Sequence, residues 1–383
     1  MTRSLGLALA AAFLLRLVPI VASDRVTADV KRYHKVAAHV LDVSWNPYSA
    51  PRLYPYPPVF VWVEAGAEAI ARRLGSGFAV LVKLPVLAAD LGLVALLAAM
   101  GRKRGLGSAP AFLYAAHPVS VLVTGFHGQF DAMALLPLLF AVHAFEGGRR
   151  DLAALALAAA IAVKSFPVLL LPFFLLAITD GVASRLRFLM LSTAPVALIL
   201  VPYAIADFGA LRRELFGYSG VADFGWVGLV RGGSWLMGEP LARSESVHWP
   251  TLVPVGKLAF VLLFAATLAM AAARRLRLSL DGFALLVFLG FLTFYGAISA
   301  QYFVWVAPFA ALAWSRLASL HAAAAAIGLV AFYLFLAPGV LTSAAEPASW
   351  AGPVWVFGVA VTLAVGLAWW LAVGRAGFGR PAA

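Results

Sequence analysis

Between two long apolar runs near its start, this chain carries a stretch that no hydrocarbon interior can hold. Residues 23–58 read SDRVTADVKRYHKVAAHVLDVSWNPYSAPRLYPYPP. Inside a bilayer its charges and unpaired backbone groups would find no water, so it must sit at or above one membrane face. Across residues 26–41 the apolar side chains Val26, Val30, Tyr33, Ala37, Val40 and Leu41 recur at steps of three and four, with Lys31, Arg32, Lys35 and Asp42 on the other side. That period predicts an amphipathic helix lying flat at the interface. Asp29 falls in its first turn, flanked by Arg25 and Arg32. The helix dipole favours a negative charge there, so the carboxylate is expected to stay ionised at neutral pH.

Apolar runs recur to the end of the chain, at 4–22, 78–100, 108–125, 131–145, 152–163, 166–179, 188–206, 251–273, 282–300, 302–314, 320–337 and 354–373. With 63% hydrophobic and 12% charged residues, there is too little polar surface to clothe a soluble globule. The expected fold is an all-α integral membrane bundle of about ten to thirteen transmembrane helices. No matching halves are visible, and residues 1–383 read as a single transmembrane domain, with the first run a retained span. The net charge of +12 is topology information rather than a nucleic-acid footprint. Its clusters, GRKRG at 101–105, GGRR at 147–150, ASRLR at 183–187, ARRLRL at 273–278, Arg316 and a tail with Arg375 and Arg380, fall in alternate loops. If those loops are cytoplasmic, the long loops 23–77 and 207–250 both project outward, as do the turns at 126–130, around Lys164 and at 299–301. The Ala, Arg and Gly richness suggests a GC-rich prokaryotic genome, hence a plasma membrane with these loops outside the cell. Cysteine is absent, which excludes disulfides, thiol catalysis and thiolate metal sites.

Every unusual polar motif lands on that outer face. Tyr33 lies one helical turn from Asp29 and shares its face. Tyr54 and Tyr56 alternate with Pro55, Pro57 and Pro58 in a stiff extended segment. Lys83 in KLP and Lys164 in KSFP are cations in apolar surroundings; they either snorkel to headgroups or pair with an anion such as a lipid phosphate. Asp90, two turns deeper than Lys83, is expected to meet a polar group on a neighbouring helix. FHGQFD at 126–131 gathers His127, Gln129 and Asp131; Asp131 reads as a helix cap or a ligand, and His127 as a satisfied turn residue before a ligand. SAQYFVW at 299–305 offers Gln301 and Tyr302, the plain alternative being interfacial anchors. The loop 207–250 adds Arg212, Arg213, Arg231, Arg243, Trp226 and Trp235, suited to a phosphate and a sugar ring or to an ordinary aromatic belt. Arg16 reads as a snorkelling residue.

Taken in order, ADVKRY, YPYPP, KLPVLAAD, HPVSVLVTGFHGQFDAM, VKSFP and SAQYFVWVAP resemble the GT-C superfamily, membrane glycosyltransferases that take sugar from a polyprenyl or dolichyl phosphate. The nearest flavour is that of bacterial polyprenyl-phosphate-mannose-dependent mannosyltransferases. The family often carries paired acids at the start of its outer loop, whereas Val30 follows Asp29 here, so the second acid falls to Asp131. The resemblance implies an inverting transfer of a hexose, mannose before glucose, to a glycolipid or cell-envelope glycan. It implies catalytic Asp29 and Asp131, donor-phosphate contacts from Lys83, Lys164, Gln301 and Tyr302, and acceptor or sugar contacts from Tyr33, Tyr56, His127 and Gln129. Its partners would be a polyprenyl-phosphate-linked sugar, the acceptor and membrane lipid, with no nucleic acid. No cofactor is implied; a divalent metal bridging Asp29 and Asp131 is not required. The rival reading, a secondary transporter or flippase of lipid-linked sugars, would place polar groups at mid-membrane between related halves. A polytopic acyl- or phosphotransferase would want a dominant intramembrane histidine, and only His117 lies well inside a run.

Overall fold

The computed structural model describes residues 3–22, 27–52, 54–218, 220–338, 340–341 and 346–378. Arg25, Val26 and Arg380 lie outside the described residues. Among the described residues every regular element is helical, with three isolated β-bridges and no strand. Six helices are long and apolar enough to cross a membrane: α1 (Arg3–Ala22), α4 (Phe78–Lys103), α10 (Val182–Gly217), α12 (Leu252–Ala272), α15 (Arg316–Phe335) and α16 (Ala351–Gly377). A seventh is a bent pair, α5 (Ala109–Ala115) and α6 (Pro118–His127), at 44°. Several of the expected spans are shorter helices, among them α7 (Asp131–Glu146), α8 (Arg150–Val163), α9 (Phe166–Ala177), α13 (Leu280–Phe294) and α14 (Ala300–Leu312). The runs at 131–145, 152–163 and 166–179 are already short in the sequence and their helices follow them closely, whereas α13 stops at Phe294, before Gly296, instead of reaching residue 300.

The chain divides into two compact units. The first holds 1–115, 124–171 and 177–218. Its expected amphipathic helix exists as α2 (Ala28–Asp42), followed by α3 (Val59–Leu74). Thr27 starts α2: its hydroxyl accepts the Val30 N–H at 3.2 Å, satisfying one of the orphan donors of a helix N-terminus. Val30, Tyr33, Val36 and Ala37 form its buried stripe, and α3 packs on it. The YPYPP segment closes a small core, where Tyr48 and Tyr54 are buried with Val36, Val61, Tyr203 and Leu211. The start of the loop expected at 207–250 is helical instead: α10 runs on to Gly217 after one non-helical residue, Asp207, whose carboxylate accepts the Ala210 N–H at 2.8 Å and so caps the renewed helix.

Arg16 does not snorkel. It is fully buried and paired with Asp90, which also accepts the Tyr114 hydroxyl at 2.5 Å. The break between α5 and α6 explains its place. Pro118 has no N–H for the carbonyl of Tyr114, four residues back, and Arg16 supplies donors to Tyr114 O at 3.3 Å and Ala115 O at 2.7 Å. Residue 117 is extended, as a residue before proline prefers.

In the second unit, which contains 219–383, α11 (Gly225–Leu236) lies within the second expected loop, and α16 packs on α11, α13 and α15. Arg231 of α11 is used internally. It pairs with Asp223 at 3.0 Å, donates to Ala242 O at 2.8 Å and lies 5.5 Å from the Trp355 ring. Trp226 donates to Phe294 O and Trp235 packs on Phe335, so both serve the unit's own packing.

Candidate active site

The FHGQFD turn is where the first unit concentrates its polar groups, and backbone geometry decides how. Residues 121–127 end α6 as a π-helical turn, a rare local form that leaves terminal carbonyls without partners. Lys83 of α4 takes two of them, donating to Gly125 O at 3.4 Å and Phe126 O at 3.2 Å. Gly128 then turns the chain at φ +80°, and a Cβ there would stand 2.5 Å from Lys83 Cε and 3.0 Å from Val30. Only glycine lets the turn lie this close to the lysine stem. Thr27 fastens the turn from the other side, its hydroxyl donating to His127 O at 2.9 Å.

This places two side chains of the turn on Asp29. His127 Nε2 lies 2.7 Å and Gln129 Nε2 2.5 Å from the carboxylate, both at Oδ2. Among the described residues no hydrogen bond reaches Oδ1, and the Asp29 side chain is 23% exposed. Burial by itself would raise its pKa; the hydrogen bond and charge of His127, the Gln129 amide and the Arg32 charge outweigh it and bring it down to about 2. Asp29 is thus an ionised carboxylate with one oxygen held and one open.

Asp131, the expected second acid, is arranged differently. Its side chain is wholly buried and accepts Lys164 Nζ at 2.8 Å. The same ammonium faces Gln129 Oε1 at 3.5 Å, which turns the amide nitrogen toward Asp29. It also sits 4.5 Å from the Phe130 ring and 5.3 Å from the Tyr56 ring. Lys164, expected on a donor phosphate, is therefore already matched by a carboxylate. Lys83, 2% exposed as a residue, has carbonyl partners and no carboxylate among the described residues.

The remaining expected residues separate. Tyr56 is half-buried, edge-on to Phe130 at 4.9 Å. Tyr33 lies beneath, 2% exposed, with its ring edge against Phe60 and Phe130, which stack at 3.8 Å. Gln301 and Tyr302 belong to the second unit, where Gln301 Oε1 accepts the Ser299 hydroxyl at 2.5 Å and Tyr302 packs 4.5 Å from Trp305. Sequence reasoning missed Thr27, which the period beginning at Val26 placed inside the helix rather than at its cap, and the Phe60–Phe130 stack, which has no sequence signal. No group of three or more His, Cys, Asp or Glu among the described residues could hold a metal ion.

No family model matches the chain, and no curated protein does. Among solved structures, it is similar to ArnT from Cupriavidus metallidurans bound to undecaprenyl phosphate, at 16% identity and a TM-score of 0.51, over 97% of this chain and 77% of that one. Since a likeness at this identity speaks for architecture, the conclusion is one of fold: the chain is a multi-pass, all-helical protein with an ArnT-like fold.

Proposed function

We propose that this protein is a polyprenyl-phosphate-dependent glycosyltransferase with Asp29 as its general base. The observation that carries the reading is the Asp29 carboxylate itself, ionised, fixed through one oxygen and open through the other, at the start of a surface helix in an ArnT-like fold. An acceptor hydroxyl attacks the anomeric carbon of the lipid-linked sugar as its proton passes to Asp29 Oδ1. The bond from that carbon to the phosphate oxygen breaks with its electrons on the phosphate, and configuration inverts. A base with a pKa near 2 takes the proton late, once the new carbon–oxygen bond has made the hydroxyl acidic. His127 and Gln129 hold Asp29 rather than the sugar.

The leaving phosphate needs positive charge in a partly dry site, and Lys83, with no carboxylate partner among the described residues, is the cation assigned to it. Lys164 and Asp131 organise the turn through Gln129. Undecaprenyl phosphate in the ArnT structure supports a polyprenyl-phosphate donor. A hexose, mannose before glucose, and a glycolipid or envelope-glycan acceptor on the outer face of the plasma membrane complete the reading on the strength of the motif resemblance. The test is incubation of the purified protein in lipid nanodiscs with radiolabelled polyprenyl-phosphate mannose or glucose and a lipid extract, beside Asp29→Asn. Label should move to a lipid or glycan product with wild type only. Equal transfer by both removes Asp29 from the chemistry, and no transfer from any donor sinks the enzyme reading.

A further inference from the structure

Glu64 takes no part in the chemistry above, yet it is the most isolated carboxyl group in the first unit. It is 0% exposed, on the same face of α3 as Phe60 one turn earlier, and neither Oε1 nor Oε2 has a hydrogen-bond partner. No cation pairs with it among the described residues. The Tyr33 hydroxyl is equally buried and equally without a partner. Its ring contacts Phe60 at 5.2 Å, and Phe60 precedes Glu64 by one turn of α3, so Tyr33 and Glu64 are both neighbours of that ring. Glu64 also bears electrostatically on both Tyr33 and Tyr54, and Tyr33 in turn feels Asp29, Tyr56 and Asp131.

An ionised carboxylate with no counter-charge in such a place would carry the full desolvation penalty of a buried ion. Burial pushes Glu64 well above the usual carboxylate range, which agrees with the geometry. A neutral acid has one donor and spare acceptors, and a phenol has one of each. Three unpartnered oxygens of these types are what one buried water satisfies.

We propose that Glu64 is held as a neutral carboxylic acid and, with the Tyr33 hydroxyl, binds one water molecule behind the Phe60–Phe130 stack, fixing the face of α2 that carries Asp29. Glu64 and Tyr33 are then positioning residues: they act on the reaction through α2 and touch no substrate. The placement at the site rests on the Asp29 reading; the protonation and hydration of Glu64 do not.

Infrared difference spectra of the full chain in lipid nanodiscs at neutral pH test the second part without turnover. Wild type should show the carbonyl stretch of a protonated carboxylic acid that Glu64→Gln lacks, and Tyr33→Phe should shift it. An internal-water O–H stretch that moves in oxygen-18 water should vanish in Glu64→Leu and in Tyr33→Phe. A Glu64→Gln difference in the carboxylate bands, or a Tyr33→Phe spectrum equal to wild type, would overturn the proposal whatever the enzyme does. In the transfer assay, Glu64→Leu should lower kcat by about tenfold to a hundredfold with donor KM unchanged, and Glu64→Gln should restore most of it. Glu64→Leu turning over like wild type would refute the positioning role.

Discussion

Asp29 and Asp131 lie on either side of one turn and end in opposite states. Asp29 is bound through one oxygen by an imidazole and an amide and keeps its other oxygen open, at 23% side-chain exposure. Asp131 is fully buried and matched by an ammonium at 2.8 Å. The contrast teaches how a site keeps two carboxylates apart in function without separating them in space. A carboxylate held by an imidazole and an amide retains an outward lone pair for a proton, whereas one paired with a buried ammonium is closed to solvent and spends its charge on structure.

The largest effect that would break this contrast is on transfer rate. Asp29→Asn should lower label transfer by about 10²- to 10⁴-fold, the usual range for a lost general base, with melting temperature near wild type. If Asp131→Asn lost as much activity at unchanged melting temperature, the two acids would have to be assigned equal roles. Next, Lys164→Met leaves Asp131 buried without its cation and should destabilise the protein by about 3–5 kcal/mol in thermal or denaturant unfolding. Replacing both residues with apolar ones of similar size should recover most of that loss.

Lys83→Met sharpens the comparison between the lysines. It should raise donor KM about tenfold or more, as expected for a lost charged hydrogen bond to phosphate, with a smaller loss of stability than Lys164→Met. The smallest effect is on the pH profile. Asp29 has a folded pKa of about 2 against an ordinary 3.8, so its stabilising contribution is present above 3.8 and lost as pH falls toward 2. Wild-type activity should therefore show no acid limb from Asp29 in the usual assay range. Gln129→Leu removes one of the groups that hold the carboxyl down, with His127 and Arg32 still in place, so the acid limb should move to higher pH. A limb that stays in place would show that Gln129 does not hold Asp29 ionised.

The sequence made several of these elements legible. The period across residues 26–41 predicted α2 and put Asp29 in its first turn, and both hold. Asp90 was expected to meet a polar group from a neighbouring helix, and Arg16 and Tyr114 are that group. Arg16 itself was misread because a cation near a span end looks the same whether it reaches for headgroups or fills a donor that Pro118 removed. The lysines in KLP and KSFP looked alike for a similar reason: the local text fixes an apolar setting and says nothing of which carbonyl or carboxylate stands opposite.

By itself, then, the sequence determined that this is a multi-pass helical membrane protein with an aqueous, aromatic first loop, because hydropathy and helical period are properties of neighbours in the chain. Tertiary structure alone decided that His127 and Gln129 converge on Asp29, that Lys164 belongs to Asp131, and that Glu64 is sealed with no cation among the described residues. Those pairings join residues from about thirty to a hundred positions apart, or none at all. Charge and hydrogen-bond partners at such separations are set by packing, which a local pattern does not encode.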